Sequence, residues 1–186
     1  MHPTSFTDEQ LAGRLQNGDR QAIAMIYERY KHGLFRFCVR LVSDSDNAAD
    51  IVQETFVRMI DEKMSLHNPA ALKAWIFMIA RNEAFTQLNK KKKTRALTED
   101  DHEVFSEESS SELIERAERS TLITSLVNRL LPQYKEVIIL REYEAMNYEE
   151  IAGVIGASVA TVKSRLFRAR KALSEQLLPL RKASDL

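Results

Sequence analysis

Tyr148–Leu173 reads YEEIAGVIGASVATVKSRLFRARKAL, and this stretch decides the fold of the chain. Ile151, Ala152 and Ile155 recur at helical spacing, with Ala152 small where a second helix has to cross closely. Gly156 stands where the first helix must stop, because glycine takes the left-handed C′ conformation without a steric penalty. Ser158 is placed to N-cap the next helix by accepting from a free N–H of its first turn. In that helix Val162, Leu166 and Leu173 point back to the core, which leaves Thr161, Lys163, Ser164, Arg165, Phe167 and Arg168 for the other faces. Every charge from Val159 to Leu173 is positive: Lys163, Arg165, Arg168, Arg170 and Lys171. Stop, cap and core spacing together predict a helix-turn-helix, whose second helix enters the major groove of DNA. Arginine reads guanine through two hydrogen bonds, and lysine or serine holds phosphates. The alternative is a helical hairpin with a solvated basic face; the lack of any acid over this span weighs against it.

Helical periodicity extends outward from this motif. Leu122, Ile123, Leu126, Val127 and Leu130 form a stripe closed by Pro132, followed by a segment from Tyr134 to Tyr143. Toward the N-terminus, Ile23, Ile26, Tyr27 and Tyr30 start a stripe that runs through Leu34, Phe37 and Leu41. A second helix is predicted from Asn47 to Asp61 and a third from Pro69 to Asn89, with Pro69 where a missing N–H costs nothing. Trp75 in the third helix reads as core. No segment alternates as a strand does. Between the two helical halves, residues 94–111 read TRALTEDDHEVFSEESSS, too polar to bury themselves. The fold class is therefore all-α: two small helical bundles, at 10–95 and 117–182, joined by a flexible acidic linker at 96–116.

Composition agrees. Hydrophobic residues make up 44% of the 186, with only 5 Gly and 4 Pro, a helical rather than loop-rich balance. The lone Cys38 excludes an intramolecular disulfide and a cysteine metal cage, and it fits a reducing compartment. The polar N-terminus, with Asp8 and Glu9, is wrong for a signal peptide. The longest apolar run, Trp75–Ala80, falls far short of the ~20 residues a membrane helix needs. A cytoplasmic protein without membrane insertion is expected. The net charge of zero hides two basic patches, Lys90–Arg95 and the second helix of the motif, separated by the acidic linker. That distribution points to a polyanion touched at two places.

Leu131–Leu173, LPQYKEVIILREYEAMNYEEIAGVIGASVATVKSRLFRARKAL, resembles the fourth region of the sigma-70 family of bacterial RNA polymerase sigma factors. The closest likeness is to the small extracytoplasmic-function (ECF) group. Ala22–Ile60, AIAMIYERYKHGLFRFCVRLVSDSDNAADIVQETFVRMI, resembles the family's second region and carries its Asp-x-x-Gln-Glu-x-Phe pattern at Asp50, Gln53, Glu54 and Phe56. Asp50, Gln53 and Glu54 share one helix face, offering an acidic, hydrogen-bonding surface. Ala70–Lys93, AALKAWIFMIARNEAFTQLNKKKK, resembles the segment that recognises and melts the promoter −10 element.

The resemblance implies a non-enzymatic specificity subunit for promoter-specific transcription initiation. Asp50, Gln53, Glu54 and Phe56 would meet the clamp helices of the largest polymerase subunit, with the polymerase flap as a further contact. His67 and Asn68, in the loop ahead of the third helix, together with Lys73, Arg81, Asn82, Lys90 and Lys91, would serve the −10 strand. Unpairing the duplex is offset by holding a flipped base in a pocket and the single strand on a basic surface. Thr161, Lys163, Ser164, Arg165, Phe167 and Arg168 would meet −35 DNA. Core RNA polymerase, promoter DNA and an anti-sigma factor are the implied partners; no cofactor and no metal are implied. Thr86 and Asn89 depart from the family's usual residues and bear on promoter preference. Two other classes stay open. One is a stand-alone helix-turn-helix regulator, which predicts tight operator binding by a symmetric dimer. The other is a nucleic-acid enzyme using Asp50 and Glu54, which predicts metal-dependent turnover. The arrangement of the two bundles is not legible at this level.

Overall fold

Capping residues set the helix boundaries of the N-terminal half. In the computed structural model, which describes residues 6–95 and 121–184, Thr7 and Gln10 close a capping box on helix α1 (Asp8–Gln16). Asp19 caps α2 (Arg20–Val42) by accepting from the Gln21 N–H, and Ser43 ends it in the left-handed conformation. Asp44 then caps α3 (Ser45–Asp61). A short 3-10 turn at Pro69–Ala71, capped by Asn68, leads into α4 (Leu72–Arg95). Sequence periodicity located α2, α3 and α4 but named no helix at α1. That helix has only nine residues, yet it buries Leu11, Ala12 and Leu15. It is tied down where Arg29 and the Tyr30 hydroxyl both donate to the Asp8 carboxylate.

The C-terminal half begins with α5 (121–128). Pro132 opens α6 (Pro132–Ile138), which widens into a π turn at Ile139–Tyr143. Helix α7 (Tyr148–Ile155) carries a capping box of Asn147 with Glu150 and ends at Gly156, whose φ is +63°. Ser158 Oγ accepts from the Thr161 N–H at 3.2 Å and so caps α8 (Val159–Ser184). The stop and the cap both fall where the sequence predicts, and Val162 and Leu166 are buried. The described residues contain no strand. The predicted linker at 96–116 lies outside the described residues.

The two halves do not stand apart. Their buried side chains form one continuous cluster that runs from Leu11 and Phe37 through Phe77 to Ile139, Ile151 and Leu166. Helix α4 lies against α7, and α2 lies against α6 and the π turn. A small pair faces across the contact between α7 and α4. A Cβ built on Gly153 of α7 stands 3.5 Å from Cβ of Ala74 on α4. Trp75 is core, as predicted, with its indole N–H donating to Ser65 Oγ at 3.2 Å. Among the described residues no helix is long and apolar enough to cross a membrane.

Candidate partner-docking and nucleic-acid interfaces

Helices α2 and α3 frame a groove of about 800 Å³ lined by Tyr27, Phe35, Asp50, Gln53, Phe56 and Val57, among others. Its rim combines two chemistries. Asp50, Gln53 and Glu54 are all exposed on α3, as helical spacing predicts. Beside them Tyr27, Phe35 and Val57 keep 44%, 38% and 54% of their surface, a large apolar exposure for one helix pair. Phe56, which the resemblance sets among the clamp-contacting residues, is buried and packs on Tyr27 with ring centroids 4.8 Å apart. Three residues after Gln53, it faces inward and supports the groove. The sequence reading missed the apolar half of this surface because Tyr27 reads as a core position in the α2 stripe, while Phe35 and Val57 were not singled out.

On α8 the exposed face holds Lys163, Ser164, Phe167 and Arg168. Phe167 keeps 70% of its surface, so packing does not explain it. Thr161 is half-buried at the start of the helix, with its hydroxyl 2.9 Å from that of Ser158. Arg141, not singled out from sequence, donates to the Met146 carbonyl at 2.7 Å and lies over the Tyr148 ring, bracing the turn ahead of α7. Arg170 pairs with Glu142 at 2.9 Å, tying α8 to the π turn.

Arg165, expected among the residues that meet −35 DNA, is ion-paired in this structure. Its guanidinium turns inward and donates to Glu136 Oε1 at 3.0 Å. Glu136 is fully buried, and its second oxygen accepts from Arg81 Nε of α4 at 2.8 Å. Arg81 was expected on the −10 strand, so this arrangement commits one cation from each half to a single carboxylate. Lys73, from the same expected set, donates to the Glu144 carbonyl at 3.0 Å. His67, Asn68, Asn82 and Lys90 remain exposed. Asn68 uses its side-chain oxygen to cap the Ala70 N–H at 3.1 Å, which fixes the loop that carries His67. Lys91 lies in α4, in a part whose side chains are outside the described set.

Two further charges sit in the seam between the halves. Lys135 is buried and donates to the Leu41 carbonyl and to Ser43 Oγ, each at 3.2 Å. Desolvation pushes its pKa down to about 8. Burial raises the Glu144 carboxyl above its ordinary range, against the opposing pull of Arg36, Lys73 and Arg40. Neither residue stood out in the sequence, since each reads as an ordinary solvated charge. Among the described residues no three His, Cys, Asp or Glu side chains gather as metal ligands.

Two family models match the chain in the order the sequence predicts. Sigma-70 region 2 matches residues 26–94, and Sigma-70 region 4 matches residues 120–173. The chain is 33% identical to RNA polymerase sigma-H factor of Pseudomonas aeruginosa, over 95% of this chain and 97% of that one. It is 32% identical to ECF RNA polymerase sigma-E factor of Escherichia coli K12, over 94% and 96%. Among solved structures it resembles the sigma factor RpoE of Bartonella quintana, in complex with the anti-sigma factor NepR. That match has a TM-score of 0.65 and 28% identity, covering 83% of this chain and 95% of that one. CnrH, in complex with the cytosolic domain of CnrY, shares the fold with a TM-score of 0.69 at 24% identity, over 91% and 96%. Two family regions in the right order and near full-length likeness to curated relatives place the chain in the ECF group of the sigma-70 family of RNA polymerase sigma factors.

Proposed function

We propose that the chain binds core RNA polymerase through the α2–α3 groove and its acidic rim, and then places the enzyme on a promoter. The observation that carries this reading is the exposed Asp50, Gln53 and Glu54 face set beside the unburied Tyr27, Phe35 and Val57. Such a surface suits an amphipathic helical partner with basic groups at its edge: apolar side chains fill the groove while carboxylates fix its register. Arg58, one turn along α3, is neutralised by Glu62 at 2.7 Å, so it does not oppose a basic partner.

The remaining exposed residues then divide by element. Lys163, Ser164, Phe167 and Arg168 on α8 meet the −35 element, with Thr161 near the backbone. Arg165 holds the recognition helix through Glu136 and shapes that face from behind. His67, Asn68, Asn82, Lys90 and Lys91 serve the −10 strand, joined by Lys73 and Arg81 once these leave their present partners. Tethering two weak DNA contacts in one subunit makes the second effectively intramolecular, so together they select one promoter. The role is one of recognition and involves no chemical step by the chain itself. An anti-sigma factor is the proposed regulator, by likeness to RpoE of Bartonella quintana.

The test is co-purification of the tagged protein with core RNA polymerase, comparing wild type with Asp50→Ala/Glu54→Ala. Retention by wild type and loss in the variant supports the reading. Failure of both to retain polymerase, together with tight operator binding by the free protein, moves the assignment to a stand-alone regulator.

A further inference from the structure

The loop that carries His67 is fixed from three directions, one of them distant in sequence. A 3-10 turn at Lys63–Ser65 leads into it and the turn at Pro69–Ala71 leads out. Between them Leu66 is buried, while His67 and Asn68 are exposed. Trp75 fixes the entry by donating to Ser65 Oγ, and Asn68 fixes the exit by accepting from the Ala70 N–H. The middle is fixed from α1, where Gln16 Nε2 donates to the Leu66 carbonyl at 2.7 Å across 50 residues of chain. Helix α1 lies against both flanking turns. It is itself held to α2 by Arg14 with Asp19 at 2.7 Å and by the bonds of Arg29 and Tyr30 to Asp8. The α1–α2 turn approaches the same loop: a Cβ on Gly18 would stand 3.4 Å from Lys63 Nζ.

Helix α1 does not need Gln16 for its own fold. Thr7 and Gln10 cap it, and Leu11, Ala12 and Leu15 bury its apolar side. Gln16 is half-buried at its last position, and its amide reaches only the loop. That bond fixes more than a distance. A trans peptide is planar, so its N–H points opposite to its C=O. Holding the Leu66 carbonyl toward α1 therefore turns the His67 N–H away from α1, and among the described residues that N–H has no protein partner. We infer that Gln16 is a positioning residue for the −10 strand, fixing the Leu66–His67 peptide with its N–H presented to a carbonyl oxygen or ring nitrogen of the captured base. This rests on the assignment of His67 and Asn68 to the −10 strand made above. A base taken out of the stack is read through hydrogen bonds to its edge, and a backbone donor held in one orientation pays less entropy when it makes one.

The experiment measures binding of the holoenzyme to the single-stranded, non-template −10 segment of a promoter selected from random sequence with wild-type holoenzyme. Discrimination is the affinity for that strand divided by the affinity for strands with one base replaced. Gln16→Met keeps the length of the side chain but has no donor, and should lower discrimination at one base by roughly 2- to 12-fold, the weight of one hydrogen bond. Gln16→Lys can donate and should retain it. Gln16→Glu can only accept, which favours the flipped peptide with its N–H inward, and should lose more than Gln16→Met. Equal discrimination in all four proteins, or Met and Lys variants that behave alike, overturns the inference and leaves Gln16 as a packing residue. Retention of core polymerase and a cooperative melt show that each variant is folded.

Two changes at the loop itself test the route. His67→Pro removes the N–H, and Leu66, at φ −75° and ψ +86°, lies outside the α region that a following proline disfavours. His67→Ala keeps the N–H. The Gln16→Met loss should persist on top of His67→Ala and vanish on top of His67→Pro. An equal further loss in both backgrounds shows that Gln16 does not act through this peptide and overturns the inference. In the free protein, the His67 amide should exchange rapidly with water by NMR and slow in Gln16→Glu; an amide already protected in wild type overturns the proposed orientation. If wild-type holoenzyme discriminates between no strands, the −10 reading fails, while the exchange rates still decide how the peptide is held.

Discussion

Glu136→Gln is the most informative single perturbation of this structure. The substitution keeps the shape of the side chain and one acceptor, but it removes a negative charge from a site with no solvent access, between two guanidiniums. Hydrogen bonds to charged groups contribute ~1.5–3 kcal/mol each, and removing one partner of a buried pair costs ~3–5 kcal/mol. Arg81 and Arg165 keep 23% and 27% of their side-chain surface, so both are partly hydrated after the loss. With the retained acceptor, that brings the expected cost to about 2–3 kcal/mol. For a chain of this size each kcal/mol moves the melting point by ~2–4 °C, which gives a drop of about 4–12 °C. Urea unfolding followed by circular dichroism, with parallel thermal scans, reads it. A double-mutant cycle with Arg165→Ala should show coupling of ~0.5–3 kcal/mol, because each single change strands the other group. A variant within ~0.5 kcal/mol of wild type would behave like a surface substitution. That result refutes the argument that Glu136 is a dry, doubly paired hub.

Further expectations are independent of that site. Lys135 binds its proton less tightly in the folded chain, at about 8 against 10.5, so the unfolded chain holds more protons between those values. Stability due to this residue therefore rises as pH climbs through 8 toward 10.5, and below 8 the charged amine carries its full desolvation penalty. Lys135→Met should stabilise the protein by about 1–2 kcal/mol at neutral pH, after its two hydrogen bonds are set against that penalty, with the advantage shrinking at high pH. A variant less stable than wild type at neutral pH shows that the hydrogen bonds win. Ala145 holds φ at +52°, where a Cβ is strained, so Ala145→Gly should gain ~1 kcal/mol while Gly156→Ala should lose about as much; opposite signs in denaturant midpoints check the pair. Phe167→Ala should leave stability within ~0.5 kcal/mol, since the ring is exposed, yet weaken promoter selectivity in reconstituted transcription. Unchanged selectivity removes Phe167 from the DNA-facing set.

Much of the molecule was legible in one dimension, for a physical reason. Helix stops and caps are local: Gly156 needs only its own freedom at positive φ, and Ser158 reaches a donor three residues ahead. Periodicity over two or more turns located α2, α3, α4 and α7, whereas the nine-residue α1 left too few apolar positions to stand out. The helix face carrying Asp50, Gln53 and Glu54 follows from 3.6 residues per turn alone, and the structure leaves it exposed.

The fate of the other charges was decided by tertiary structure. Arg81 and Arg165 look alike in sequence to Lys163 and Arg168, all of them cations on basic helices. They differ because Glu136, 55 and 29 residues away, is buried where α4 and α8 converge on α6. A buried carboxylate must be paired, and it draws whichever cations the packing brings within reach. Phe56 turned inward and Phe167 outward on the same principle: the ring with a neighbour to pack against is buried, and the one without stays in solvent. Sequence alone determined most of the helices, the stop and cap of the helix-turn-helix and the family that the pattern resembles, because those signals act within a turn or two of chain. Only the folded molecule decided which cations are free and how the two halves meet, because burial and ion pairing depend on groups that approach each other across the whole length of the chain.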